Sequence, residues 1–249
     1  MSQASPGGRS ISRRDFLTAL SVFGWIPFLQ PKHIALAGAR FRIIRNGHAP
    51  RRYLLIHGNE ETAREVLTRH MRAHEGIAYL IQNHTRNIDI LGGHLDPNRM
   101  FSRAGAEANL QRLNHDWPPD RIEAALAILD HGREKLIRAL TPPPGGLTVA
   151  LHNNSEGYSV TDEVPISDQK SLREPDNPHA FFLCTNEEDF QRLAKSPYNV
   201  VLQQKAPTVD DGSLSRVAAV RGFRYVNLEV ALGQATRQKE MLDWLEWHL

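Results

Sequence analysis

One cysteine, Cys184, stands in 249 residues, so the chain cannot close a disulfide on itself. A basic excess is also nearly absent, at 30 Lys and Arg against 28 Asp and Glu. What excess there is sits at the start, where Arg9, Arg13, Arg14 and Lys32 face Asp15 alone. Beyond residue 39 acidic side chains are slightly the more numerous. The pI near 8.8 is thus a property of the whole chain, and no basic patch remains to argue for a nucleic-acid partner. The apolar run 16–29 is broken by Pro27 and falls short of the roughly 18 residues that a spanning helix needs. Internal repeats, low-complexity tracts and a second domain are absent too.

The first segment reads as an address. Arg13-Arg14 precede the apolar run, and small residues follow in Ala35-Leu36-Ala37 and Ala37-Gly38-Ala39. Paired arginines, an apolar stretch and a small-residue cut site make a twin-arginine export signal. The expected division is a signal peptide over 1–39, cut after Ala37 or Ala39, and a domain over 40–249. The implied partner is the twin-arginine export machinery, the destination is the periplasm, and no stable membrane insertion remains after cleavage. A lone cysteine suits a protein exported already folded.

From Arg40 the pattern alternates. Short runs rich in β-formers at 41–44, 53–56, 78–82, 147–151, 180–184, 199–203 and 224–229 predict strands. Helices are predicted from Glu60, over 120–140 with Ile122, Leu126, Leu129, Leu136, Ile137 and Leu140 inward, after the N-cap Asn186, and over 236–249. The fold class expected is α/β, a single domain with a mostly parallel central sheet flanked by helices on both faces. Three polar loops, 83–101, 153–179 and 204–213, stand out, and the first two are long enough to be binding loops.

The stretch Tyr53-Leu-Leu-Ile-His-Gly-Asn-Glu60 organises the rest. A buried strand delivers His57 to its carboxyl end, and one tight turn later Glu60 opens a helix. His-x-x-Glu alone is weak, since a chain of this composition yields about one by chance. It recurs as His131-x-x-Glu134, on the expected outer face of the 120–140 helix. Placement separates the two copies. Ligands in open α/β sheets bind beyond the carboxyl ends of strands, and two further strands end in His152 and Glu229. His57, Glu60 and His152 form a two-His, one-Glu set of the kind that holds zinc with one open position for water. Glu229 is the spare carboxylate, fit to take a proton from that water and pass it to a leaving amine. Alternatively, Glu229 pairs with Arg224 or Arg237 and is structural. Arg86, Arg99 and Arg103 fall in or beside the 83–101 loop. Arg99 beside Asn98, after an Asp-Pro turn, is shaped to hold a carboxylate by parallel hydrogen bonds.

With His57-Gly58-Asn59-Glu60, Asp96-x-Asn98-Arg99-x-Phe101, a strand ending in His152 and one carrying Glu229, the chain resembles the zinc carboxypeptidase superfamily. That superfamily includes the succinylglutamate desuccinylase and aspartoacylase branch. The resemblance covers roughly residues 53–230. It implies zinc on His57, Glu60 and His152, with His84, His94 and His115 as other histidines that could supply the third ligand. It implies a substrate carboxylate on Asn98 and Arg99, Glu229 as general base, and Arg86 polarising the scissile carbonyl, with Arg103 as its rival. A proton-donating tyrosine would be one of Tyr158, Tyr198 and Tyr225. The function expected is a periplasmic zinc-dependent amide hydrolase of the metallocarboxypeptidase type. Its substrate would be a short peptide with a free carboxylate, such as one derived from peptidoglycan. The alternatives are a deacylase of N-acyl amino acids and a non-catalytic peptide or cell-wall binding domain.

Overall fold

The three-residue turn between Leu55 and Asn59 takes its position from a nine-stranded sheet that runs through the protein. The computed structural model describes Met1 and residues 32–154, 157–205 and 208–249. The strands are β1 (His33–Leu36), β2 (Ala39–Asn46), β3 (Arg51–Leu55), β4 (Gly76–Ile81), β5 (Ile88–Ile90), β6 (Gly93–Leu95), β7 (Leu147–Asn154), β8 (Gln169–Ser171), β9 (Phe181–Cys184), β10 (Asn199–Leu202) and β11 (Tyr225–Ala231). The helices are α1 (Glu61–Ala73), α2 (Arg103–Leu113), α3 (Pro119–Leu140), α4 (Val160–Glu163), α5 (Glu187–Leu193), α6 (Leu214–Arg221) and α7 (Ala235–His248). The large sheet has the order β1-β2-β4-β3-β7-β11-β9-β10-β8, and β5-β6 forms a separate hairpin. Among the described residues no helix is long and apolar enough to cross a membrane.

All seven expected strands are present, and the α/β class holds with helices on both faces. The sheet is mixed rather than uniformly parallel. Its centre, β4-β3-β7-β11, is parallel, while the joins β1-β2, β2-β4, β11-β9 and β10-β8 are antiparallel. Side-chain alternation builds two cores from one strand. Leu54 and Ile56 face a cluster with Phe41, Leu126, Leu129 and Ala218, under α3 and α6. Tyr53 and Leu55 face the other, with Leu67, Phe190, Met241 and Leu242, under α1, α5 and α7. Strands covered on both faces read as continuous apolar runs, which is why they were legible in the sequence.

In this chain the sheet reaches back before Arg40: β1 pairs with β2 in register from His33↔Arg42 to Leu36↔Ala39. Leu36 is buried in the α3 core, and the Gly38 carbonyl accepts from Asn83 Nδ2 at 3.2 Å. The small residues expected to mark a cut site are therefore a hairpin turn, with Ala37 at φ 50°. The twin-arginine pair and the apolar run lie outside the described residues.

Candidate metal centre and active site

Gly58 is the first requirement of the site. A Cβ there would stand 2.3 Å from the Asn83 carbonyl oxygen and 2.6 Å from that of Thr85, while the Gly58 amide donates to Thr85 O at 3.1 Å. Only glycine lets the chain turn this tightly after β3, and the turn sets His57 and Glu60 side by side. His57 Nδ1 lies 2.8 Å from Glu60 Oε1. His152, from β7, brings its own Nδ1 to 3.4 Å from the same oxygen. The two imidazole rings meet edge to face at 5.2 Å. All three residues are buried, and their ligand atoms lie within 4.8 Å of one another.

Electrostatics suit a cation at this point. Burial opposes charge on both His57 and Glu60, yet each stays charged because of the other. Glu60 is lowered to about 2, burial being outweighed by His152 and His57. His57 is raised to about 9, burial being outweighed by the charge of Glu60 and the bonds from Asp96 and Glu60. Glu60 Oε2 is buried with no partner, a costly state unless something else meets it. Two Nδ1 atoms aimed at one carboxylate, with a spare oxygen beside them, fit a metal that displaces the imidazole proton. Nitrogen and carboxylate donors suit zinc.

The sequence places Asp96 in a turn and in the Asp96-x-Asn98-Arg99-x-Phe101 motif, without assigning it a partner. Its carboxylate accepts from His57 Nε2 at 2.9 Å and from the Asn98 amide at 2.9 Å, and Arg86 lies 3.3 Å from its other oxygen. It thus fixes the His57 ring from behind while capping the 3₁₀ turn Pro97–Arg99, and its own pKa is held well below the usual carboxylate range. Burial would raise that pKa, but the bond and charge of His57 and the charge of Arg86 outweigh it. The signal available in the sequence was the Asp-Pro-Asn turn, which gives no hint of the histidine 39 residues earlier.

Glu229 belongs to β11 and stands in register with His152 of the neighbouring β7. β11 runs two residues further than expected, to Ala231, and β7 three, to Asn154, so these side chains project from inside the sheet's rim rather than from its last residue. Glu229 Oε1 accepts from Asn227 Nδ2 at 3.0 Å, whereas Oε2 is buried and unpartnered. Burial, then the charge of Glu60, raise its pKa against the pull of His152 and Asn227. The structural reading of Glu229 fails: Arg224 binds Asp189 and Arg237 binds Glu174.

The metal-ligand group opens into a cavity of about 380 Å³. Arg86, Asn98, Arg99 and Glu229 line it with the three ligand candidates. Arg86 is half exposed and sits 3.8 Å from Glu60 Oε1. Arg103 does not line the cavity; it bonds Glu123 and Asp130 of α3 instead. Arg99 is partnered by Asp211. His84, His94 and His115 are exposed and do not line the cavity. Tyr158 does line it, its hydroxyl donating to Glu163 at 2.8 Å. Tyr198 stacks under Arg237, and Tyr225 lies in the core. The second His-x-x-Glu is surface, Glu134 pairing with Arg221.

No protein-family model matches this chain, and no curated protein matches it. Among solved structures, a succinylglutamate desuccinylase/aspartoacylase from Rhodobacter sphaeroides is similar at 13 % identity and a TM-score of 0.45, over 83 % of this chain and 57 % of that one. A succinylglutamate desuccinylase from Silicibacter sp. gives 14 % and 0.44, over 83 % and 59 %. A candidate metallopeptidase from Shewanella denitrificans gives 9 % and 0.42, over 86 % and 79 %. The chain spans less than three-fifths of the length of the first two. Likenesses this distant carry no weight for the site, whose chemistry is set by its own atoms.

Proposed function

We propose that the protein is a zinc-dependent hydrolase of amides that carry a free carboxylate, acting on short peptides in the periplasm. One observation carries the reading: two imidazole Nδ1 atoms converge on Glu60 Oε1, beside a buried carboxyl, Glu229, with an unpartnered oxygen. His57, Glu60 and His152 would hold the zinc, which when bound lowers the pKa of a water and polarises a carbonyl. Glu229, short of partners and raised in pKa, takes the water's proton and delivers it to the leaving amine. Asn98 and Arg99 hold the substrate carboxylate, and Arg86 stands where a developing oxyanion would need a cation. Of the three tyrosines, Tyr158 shares the cavity and feels the charge of Glu229.

The periplasmic address rests on Arg13-Arg14 and the apolar run that follows. A cell-wall peptide as substrate rests on that address.

The test is an assay of the purified protein against short peptides and N-acyl amino acids, each with its carboxylate free or amidated. Turnover should require the free carboxylate, stop with a chelator and return with zinc. Elemental analysis should find about one zinc per chain, mostly lost in His152→Ala. Turnover that survives zinc removal, or zinc retained in His152→Ala, overturns the reading.

A further inference from the structure

Helix α1 starts without a cap of its own. Its N-cap residue is Glu60, whose side chain makes no bond to the helix backbone because it is turned to His57 and His152. The first turn of a helix leaves amides that need acceptors, and a side-chain oxygen at the N-cap ordinarily meets the amide of the second or third residue. Here the acceptor comes from another strand. Asn153 of β7, the neighbour of His152, brings Oδ1 to 2.8 Å from the Ala63 amide.

Asn153 can take only one orientation. Its Nδ2 faces the His152 carbonyl at 3.2 Å, the Val230 carbonyl at 3.3 Å and Gln238 Oε1 at 3.2 Å. Turning the amide over would set oxygen against three oxygens and leave the Ala63 amide facing another donor. Gln238, fully buried in α7, closes the arrangement by donating from Nε2 to the His152 carbonyl at 2.9 Å. A second tie lies beside the first, where the Gly233 amide, just past β11, donates to Thr62 Oγ1 at 2.9 Å. The first turn of α1 is thereby bound to the two strands that carry His152 and Glu229. His57 and Glu60 are kept together by the turn after β3, but His152 comes 92 residues after Glu60. Their separation is set by how α1 sits on β7, and the Asn153 bond spans that seam.

We propose that Asn153, held by Gln238, is a positioning residue of the metal centre: by capping α1 from β7 it fixes Glu60 at the distance from His152 that one shared metal needs. This rests on the reading of His57, Glu60 and His152 as zinc ligands. Asn153 acts through those ligands and takes no part in bond cleavage.

The test is zinc affinity of the folded full chain, read by competition with a chromogenic chelator. Asn153→Ala should weaken zinc by about 10- to 100-fold, the usual cost of losing a group that orients a ligand. Gln238→Met leaves the cap in place with one partner fewer and should weaken zinc by a smaller factor. The visible absorption of the cobalt-substituted Asn153→Ala protein should change too, because it reads ligand geometry. Asn199→Ala is the control for a merely structural loss. Asn199 is fully buried and lies outside the cavity lining. Its carboxamide bonds the Glu174 amide and the carbonyls of Glu174, Asn177 and Ala180. That variant should lose stability and keep its zinc affinity. Parental zinc affinity in Asn153→Ala, or an equal loss in Asn199→Ala, overturns the proposal. If Asn153→Ala does not fold, Gln238→Met decides, and parental affinity there overturns it. The two readings fail apart. A parent that binds no zinc removes the metal centre and this role with it, whereas a parent whose zinc affinity Asn153→Ala shares removes this role alone.

Discussion

His57 and Asp96 are joined through the imidazole Nε2 at 2.9 Å, and the same carboxylate oxygen accepts the Asn98 amide at 2.9 Å. One acid therefore orients a candidate metal ligand and the start of the turn that carries Asn98 and Arg99. Asp96 is itself anchored, its amide donating to Asn109 Oδ1 at 2.9 Å. Bonded at Nε2, His57 can offer only Nδ1 to the Glu60 side.

Asp96→Ala should weaken zinc binding by about 10- to 100-fold, the usual cost of losing a partner that orients a ligand. Competition against a chromogenic chelator measures this. Unchanged affinity would show that Glu60 alone suffices to orient the ring.

Glu229→Gln keeps size and the bond from Asn227 while removing the proton acceptor. A loss of about 10²- to 10⁴-fold in kcat is expected, with zinc content intact because the residue is not a ligand. Near-normal turnover would return Glu229 to a structural role.

Arg99→Ala should raise KM more than it lowers kcat on substrates with a free carboxylate. Lys at this position should recover part of the binding, since an ammonium lacks two parallel donors. Equal activity of the Ala variant on free and amidated carboxylates would take away the acid-binding role.

On the far face, Glu246 of α7 accepts from the Tyr53 hydroxyl at 2.9 Å and lies 3.5 Å from both His70 Nε2 and Arg51 Nε. Burial would raise its pKa, but His70, Arg51 and Tyr53 together hold it below the ordinary 4.5. A depressed carboxylate binds its proton more weakly folded than unfolded, so its contribution is full above about pH 4.5 and fades as pH falls through the folded value. Urea unfolding at pH 7 should find Glu246→Ala less stable by about 1–3 kcal/mol, with the gap narrowing below pH 4.5. A gap that widens in acid would contradict the assignment.

The β1 hairpin gives a test of the fold's beginning. A chain starting at Arg40 should be less stable than one starting at Lys32. Leu36→Ala by itself should cost about 2–4 kcal/mol, as for other buried leucines. Equal stability of the two chains would mean that cleavage after Ala37 or Ala39 costs the fold nothing.

The sequence by itself determined the central strands, the long α3 and the three ligand candidates. Strands buried on both faces must be apolar throughout, and a histidine or carboxylate following such a run has few places to point. Edge strands such as β1 and β8 escaped notice because a half-solvated strand need not be apolar. Tertiary structure decided what no local pattern encodes, namely which charges meet. Asp96 finds His57 across 39 residues, Asp211 finds Arg99 across 112, and Arg103 turns away to α3. Coulomb energy depends on enclosure and distance rather than on position along the chain.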